Sequence, residues 1–214
     1  MVAAPRTNTV HVLGDEDSAK RRQILAGASK VFMDLGFDGA SMGEIARAAG
    51  VSKGTLYVYF ADKSRLFEAI VEQEIHDQQK IAFDFDPGRD VPATLREFGR
   101  AYLELLCRPG GGSAIRTVMA IAERMPEVGR RYYENVLEKT INRLADYLEV
   151  HVRARELAIP DCQLAASQFM QMCQASLFLR FIFQAAPPPS SERIVEVVES
   201  ATRMFLAAYQ VKAG

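Results

Sequence analysis

Cysteine and histidine are scarce in this 214-residue chain, three of each, and that scarcity removes several kinds of protein at once. Cys107, Cys162 and Cys173 are odd in number and widely separated, without the close pairing that a zinc site or a redox dithiol requires. They read as small apolar core residues of a protein kept in a reducing compartment. His11, His76 and His151 are too scattered to build a metal cluster or to serve a nucleophile. The expectation is therefore a protein with no catalytic residues, no metal and no cofactor. Glu72 and His76 stand four apart but have no third ligand, and His151, beside Arg153 and Arg155, reads as part of a solvated face near a helix end. An excess of one charge is lacking too. A formal net charge of -1 leaves any nucleic-acid contact to a local patch. The amino end has no apolar stretch of signal length, and glutamines and Arg180 interrupt the most apolar segment, so the chain is expected in the cytoplasm and off the membrane. Gly110 to Gly112 lack the strand and the Lys-Ser/Thr ending of a phosphate loop and read as a flexible connection.

What remains is helix. Residues 1–17, with Pro5, Gly14 and an acidic run, read as a flexible N-terminal arm. From Ser18 the apolar spacing is helical nearly to the end, with no convincing strand, so the fold class is all-α with nine helices expected. Ile24, Ala28, Val31, Phe32 and Leu35 line one face of a first helix that Gly36 stops. Pro87-Gly88, Pro109, Pro126, Pro160 and Pro187 to Pro189 punctuate the later helices. With 49% hydrophobic residues the chain has ample material for a core.

The informative stretch runs from Ser41 to Lys63. Ser41 followed by Glu44 is a reciprocal cap for a short helix whose inner face is Ile45, Ala46 and Ala49. Gly50 supplies the left-handed turn between two crossed helices. Ser52 caps a third helix running to Phe60, and Asp62 a fourth. On the third helix Ser52, Leu56 and Phe60 fall on one side, and Gly54, Thr55, Tyr57 and Val58 on the other. That outer side carries no acid, lets the backbone approach at Gly54, and offers donors from Lys53, Thr55, Tyr57, Tyr59 and Lys63. Those properties suit a major groove walled by phosphates. Ser41 is placed to donate to a phosphate, and Lys20, Arg21 and Arg22 add backbone contacts. Seven basic against four acidic residues between Ser18 and Lys63 give this stretch the positive balance that the whole chain lacks.

The run Gly50-Val51-Ser52-Lys53-Gly54-Thr55-Leu56-Tyr57-Val58-Tyr59-Phe60-Ala61-Asp62-Lys63 resembles the pattern G-V-S-x-G-T-x-Y-x-Y-F-x-x-K of the TetR/AcrR family of bacterial repressors at every position. The resemblance implies a three-helix helix-turn-helix DNA-binding domain, here residues 18–63, followed by a six-helix ligand-binding and dimerisation domain, residues 64–214. It implies a homodimer on a palindromic double-stranded DNA operator, released by a small-molecule effector, with DNA contacts at Ser41, Lys53, Gly54, Thr55, Tyr57, Tyr59 and Lys63. It carries no ligand residues over. From helical spacing alone, Tyr102, Leu106, Met119, Glu123, Tyr133 and Met172 are the candidates to line an effector cavity. A segment from Asp161 to about Gln184, apolar around most of its circumference, and the last helix, with Ile194, Val197, Val198, Ala201, Phe205 and Ala208, are expected to pair with their symmetry mates.

Overall fold

The computed structural model describes the backbone of residues 10–80, 83–108 and 113–211, and within them the side chains of 17–73, 83–108 and 115–211. The chain divides between Glu74 and Ile75 into two compact units. All its regular elements among these residues are helical, more of them than the nine expected.

In the first unit α1 spans Val10–Gly39, with non-helical backbone at Gly36 where the stop was expected. The helix already runs at Val10, ahead of the Ser18 expected, so residues 10–17 extend it instead of belonging to an arm. Residues 1–9 and the side chain of His11 lie outside the described residues. α2 is Met42–Ala48, α3 is Lys53–Tyr59 and α4 is Lys63–Lys80. Ile24, Leu25, Ala28 and Phe32 of α1 are buried with Ile45, Leu56, Leu66 and Phe67. The rings of Phe32, Phe37 and Phe67 meet at centroid distances of 5.4 to 5.7 Å. That burial explains why the unit boundary lies inside α4, beyond the Lys63 boundary read from the sequence: the first turns of α4 belong to the first core.

In the second unit Asp90 caps α5, Val91–Leu106, through the amide of Ala93. α6 is Ser113–Ile121. Then α7, Pro126–Tyr132, a π-helical turn, Tyr133–Glu138, and α8, Lys139–Arg153, follow without a break as the long helix expected after Pro126. α11, Ser191–Tyr209, closes the chain. The segment read as one helix from Asp161 to Gln184 is two: α9, Cys162–Gln174, and α10, Phe178–Ile182. Non-helical backbone at Ala175, with ψ 133°, and a positive φ of 62° at Ser176 separate them. α9 buries Ala165, Phe169 and Cys173 in the main core with α5, α8 and α11, whereas Phe178, Phe181 and Ile182 of α10 pack with Cys107 in a second cluster. Two faces serving two clusters look, in sequence, like one helix apolar all round.

His151 is also relocated. Instead of sitting on a solvated face it is buried, its Nδ1 2.6 Å from Glu156 Oε2 and its ring 4.5 Å from that of Tyr147. The chain reverses just after α8 through Arg155, at φ 62°, and this turn brings Glu156 to the ring. Burial pushes the Cys107 thiol up to about 11 and the Cys173 thiol up to about 12, which makes both inert at neutral pH. No helix among the described residues is long and apolar enough to cross a membrane.

Candidate nucleic-acid interface and cavity

Two caps fix where α2 and α3 begin. Ser41 Oγ accepts from the Glu44 amide at 3.2 Å, and Glu44 Oε2 accepts from the Ser41 amide at 3.0 Å and from its hydroxyl at 2.7 Å. These bonds hold the Glu44 carboxyl below the usual carboxylate range. Ser52 Oγ accepts from the Thr55 amide at 2.9 Å at the start of α3. Between the two helices Gly50 has φ 63°, a conformation that costs a residue with a Cβ about 1–2 kcal/mol. α1 comes so close to this turn that a Cβ on Gly27 would stand 2.6 Å from the backbone of Ala49, and Gln23 Nε2 donates to the Ala49 carbonyl at 2.7 Å. Neither residue was singled out from the sequence, although a glycine inside a helical pattern signals just such an approach.

The pair presents one face of α3. Leu56 is fully buried and Phe60 nearly so, while Lys53, Gly54, Tyr57 and Val58 face out, Tyr57 at 53% and Val58 at 83% exposure. Thr55 is half-buried, with its hydroxyl 2.8 Å from that of Ser52. The Lys53 stem lies over Gly43, where a Cβ would meet its Cε at 2.8 Å. Ser41 is exposed but already donates its hydroxyl proton to Glu44. Two expected DNA donors are engaged within the first unit. Tyr59 donates to Asp17 Oδ1 of α1 at 2.6 Å, which raises its phenol above the ordinary value. Lys63 Nζ donates to the carbonyls of Phe37, Asp38 and Ala40 at 2.8, 3.3 and 3.3 Å and sits 4.7 Å from the Phe37 ring centroid. Spacing along α3 could not reveal that the end of α1 would offer its free carbonyls at this point. Arg21, expected to touch the DNA backbone, lies 5.6 Å from the Phe60 ring centroid.

The second unit contains a cavity of about 540 Å³ between α5, the π-helical turn, α8 and the segment before α5. Of the six residues expected to line it, Tyr102 and Leu106 do. Tyr132 and Met170 stand there in place of Tyr133 and Met172. Tyr133 is half exposed, Met119 is 66% exposed, and Glu123 is on the surface. Met172 instead borders a shallower cleft of about 430 Å³ between α9 and α11. The adjacent tyrosines differ by 100° in helical phase, and nothing in the spacing told which of them points inward. Tyr102 accepts from Gln174 Nε2, and burial pushes its phenol well above the usual value. The sequence reading missed Phe83, Phe85 and Arg143 on the wall.

A short outward helix crossed on a capped partner through a glycine turn, followed by a second helical unit, defines the helix-turn-helix DNA-binding regulators. Residues 24–70 match the family described as bacterial regulatory proteins, tetR family, and residues 93–211 match the AefR-like transcriptional repressor C-terminal domain. The chain belongs to the TetR family. It is similar to the crystal structure of a TetR-family regulator from Mesorhizobium loti, with a TM-score of 0.76 and 27% identity over 91% of this chain and 98% of that one. It is similar to the flavonoid-responsive regulator FrrA, with a TM-score of 0.74 and 32% identity over 92% of this chain and all of that one. Among curated relatives, the HTH-type transcriptional repressor Rv1474c of Mycobacterium tuberculosis is 35% identical over 68 residues, 32% of this chain. The match spans 36% of that relative's length.

Proposed function

We propose that the protein is a cytoplasmic transcriptional repressor that binds a near-palindromic DNA operator as a homodimer and leaves it when a small molecule fills the cavity of the second unit. The observation that carries this reading is the face of α3, where Gly54, Tyr57 and Val58 stand outward above a fully buried Leu56. Lys53, Gly54, Thr55 and Tyr57 make the closest contacts, Ser41 adds a phosphate contact on yielding its proton from Glu44, and Tyr59 and Lys63 hold the reading head to α1. Leu179 and Phe183 around α10 and Met204 on α11 are exposed in the single chain, which supports pairing of the last helices across a two-fold axis. Such an axis sets the two reading heads on grooves about 34–36 Å apart or at a multiple of that distance. Release requires the effector to bind the DNA-free arrangement more tightly than the DNA-bound one. No step of this function needs a bond to be made or broken in a substrate.

The test is a gel shift on the DNA upstream of the protein's own gene at low and high salt. A sequence-selective complex that weakens steeply with salt is expected. Equal binding to scrambled DNA, or none at either salt level, contradicts the reading.

A further inference from the structure

We infer that the cavity of the second unit takes a planar aromatic acid, two or three fused or linked rings bearing one anionic group; this rests on the reading of that cavity as the effector site. About 540 Å³ suits such a molecule, since pockets for ligands of that size span about 300–1,000 Å³. Aromatic rings form one continuous part of the wall, beside aliphatic Leu105, Leu106, Val136 and Leu137. Phe83 and Phe85 pack on Phe98 at centroid distances of 5.6 and 5.1 Å, Phe98 stacks on Tyr102 at 5.8 Å and 12°, and Tyr132 completes the set. Rings gain from offset and edge contacts with such walls beyond the area they bury, and an aliphatic chain does not.

Charge supplies the other half of the argument. The ionised side chains on the cavity wall are those of Lys139 and Arg143, one turn apart on α8, and no Asp or Glu is among the described lining residues. A cationic ligand would meet two like charges and no counter-ion, whereas an anion meets both. Arg143, exposed at the rim of the cavity like Lys139, is held over it: its Nη2 donates to the Phe83 carbonyl and its guanidinium lies 5.7 Å from the Phe85 ring centroid. That bond uses one of the five N–H donors of a guanidinium, so a fork remains for a carboxylate. Lys139 is oriented by its bond to Asn135 Oδ1 at 2.9 Å. Asn135 lies in the π-helical turn, whose wider coil contributes Asn135, Val136 and Leu137 to the wall, and such turns recur at functional sites.

The experiment titrates the full-length protein at neutral pH with anthracene-2-carboxylate, its carboxamide and 2-(aminomethyl)anthracene, read by probe fluorescence, alongside the linear polyene cis-parinarate. The carboxylate should bind at least about tenfold tighter than the carboxamide, the amine should bind least, and Arg143→Gln or Lys139→Gln should remove most of the carboxylate's advantage while leaving the carboxamide unchanged. Circular dichroism and operator binding of each variant verify that it is folded. Equal binding of carboxylate and carboxamide, or strong binding of the amine, overturns the inference. Binding of cis-parinarate without any anthracene overturns it too, yet leaves the effector reading standing; if none of the four binds, both fall.

Discussion

Replacing Lys63 by methionine keeps the length and the apolar stem of the side chain and removes its charge and its three donors. In the structure those donors close the end of α1 through the carbonyls of Phe37, Asp38 and Ala40. One bond is short and two are long, and the site is half-buried, so the net loss is about 2 kcal/mol, with about 0.5 kcal/mol more from the contact with the Phe37 ring. In a unit of this size that is about 15 °C of melting temperature. Scanning calorimetry, which resolves units that melt separately, should show the first unit melting early and the second unchanged. The same variant separates a structural lysine from a phosphate contact. A lost phosphate contact lowers the slope of log affinity against log salt by about 0.9, whereas a lysine serving only the fold leaves the slope as it was. A variant with wild-type melting and a reduced salt slope would refute the reasoning.

Gly27→Ala adds a Cβ 2.6 Å from backbone that has no side chain to swing away; a loss of about 3 kcal/mol is expected in urea melts, at the upper end of overpacking costs, and unchanged stability counts against the close approach of α1 to the turn. Tyr57→Ala should weaken operator binding about tenfold in a gel shift with no change in melting. The Glu44 carboxyl is held below its ordinary range by Ser41, so its contribution is complete at neutral pH and disappears as the pH falls from about 4.3 through the lower folded value. Glu44→Gln should therefore flatten the acid limb of the first unit's stability measured by circular dichroism, and an identical limb in both proteins contradicts the cap. In a colorimetric thiol titration at mildly alkaline pH, the buried Cys107 and Cys173, pushed up to about 11 and about 12, should react only after unfolding; three fast thiols in the native protein would show the second unit to be loosely packed.

The all-helical class and the caps at Ser41, Ser52 and Asp62 were legible in the sequence because each depends on residues a few positions apart. Gly50 was legible for the same reason. Lys63, Tyr59 and Gln23 were not, since their partners Phe37, Asp17 and Ala49 lie 26 to 42 residues away and meet them only after α1 has folded back. The cavity was half legible. Helical phase placed Tyr102 and Leu106 on its wall, but the choice between Tyr132 and Tyr133 turned on packing, and Phe83, Phe85 and Arg143 are joined by a bond spanning 60 residues. The break at Ala175 and Ser176 carries neither proline nor glycine, which left it without a local signature.

The central claim is that the outer face of α3 enters the major groove in duplicate. It is tested most directly by placing a cysteine at Val58, 83% exposed and away from the caps, attaching a DNA-cleaving chelate, and mapping the cuts on DNA selected from a random pool. Two clusters of cuts, related by the symmetry of an inverted repeat and about 34–36 Å or a multiple of that apart, are expected. Uniform cutting, a single cluster, or none while the protein remains bound would contradict the account.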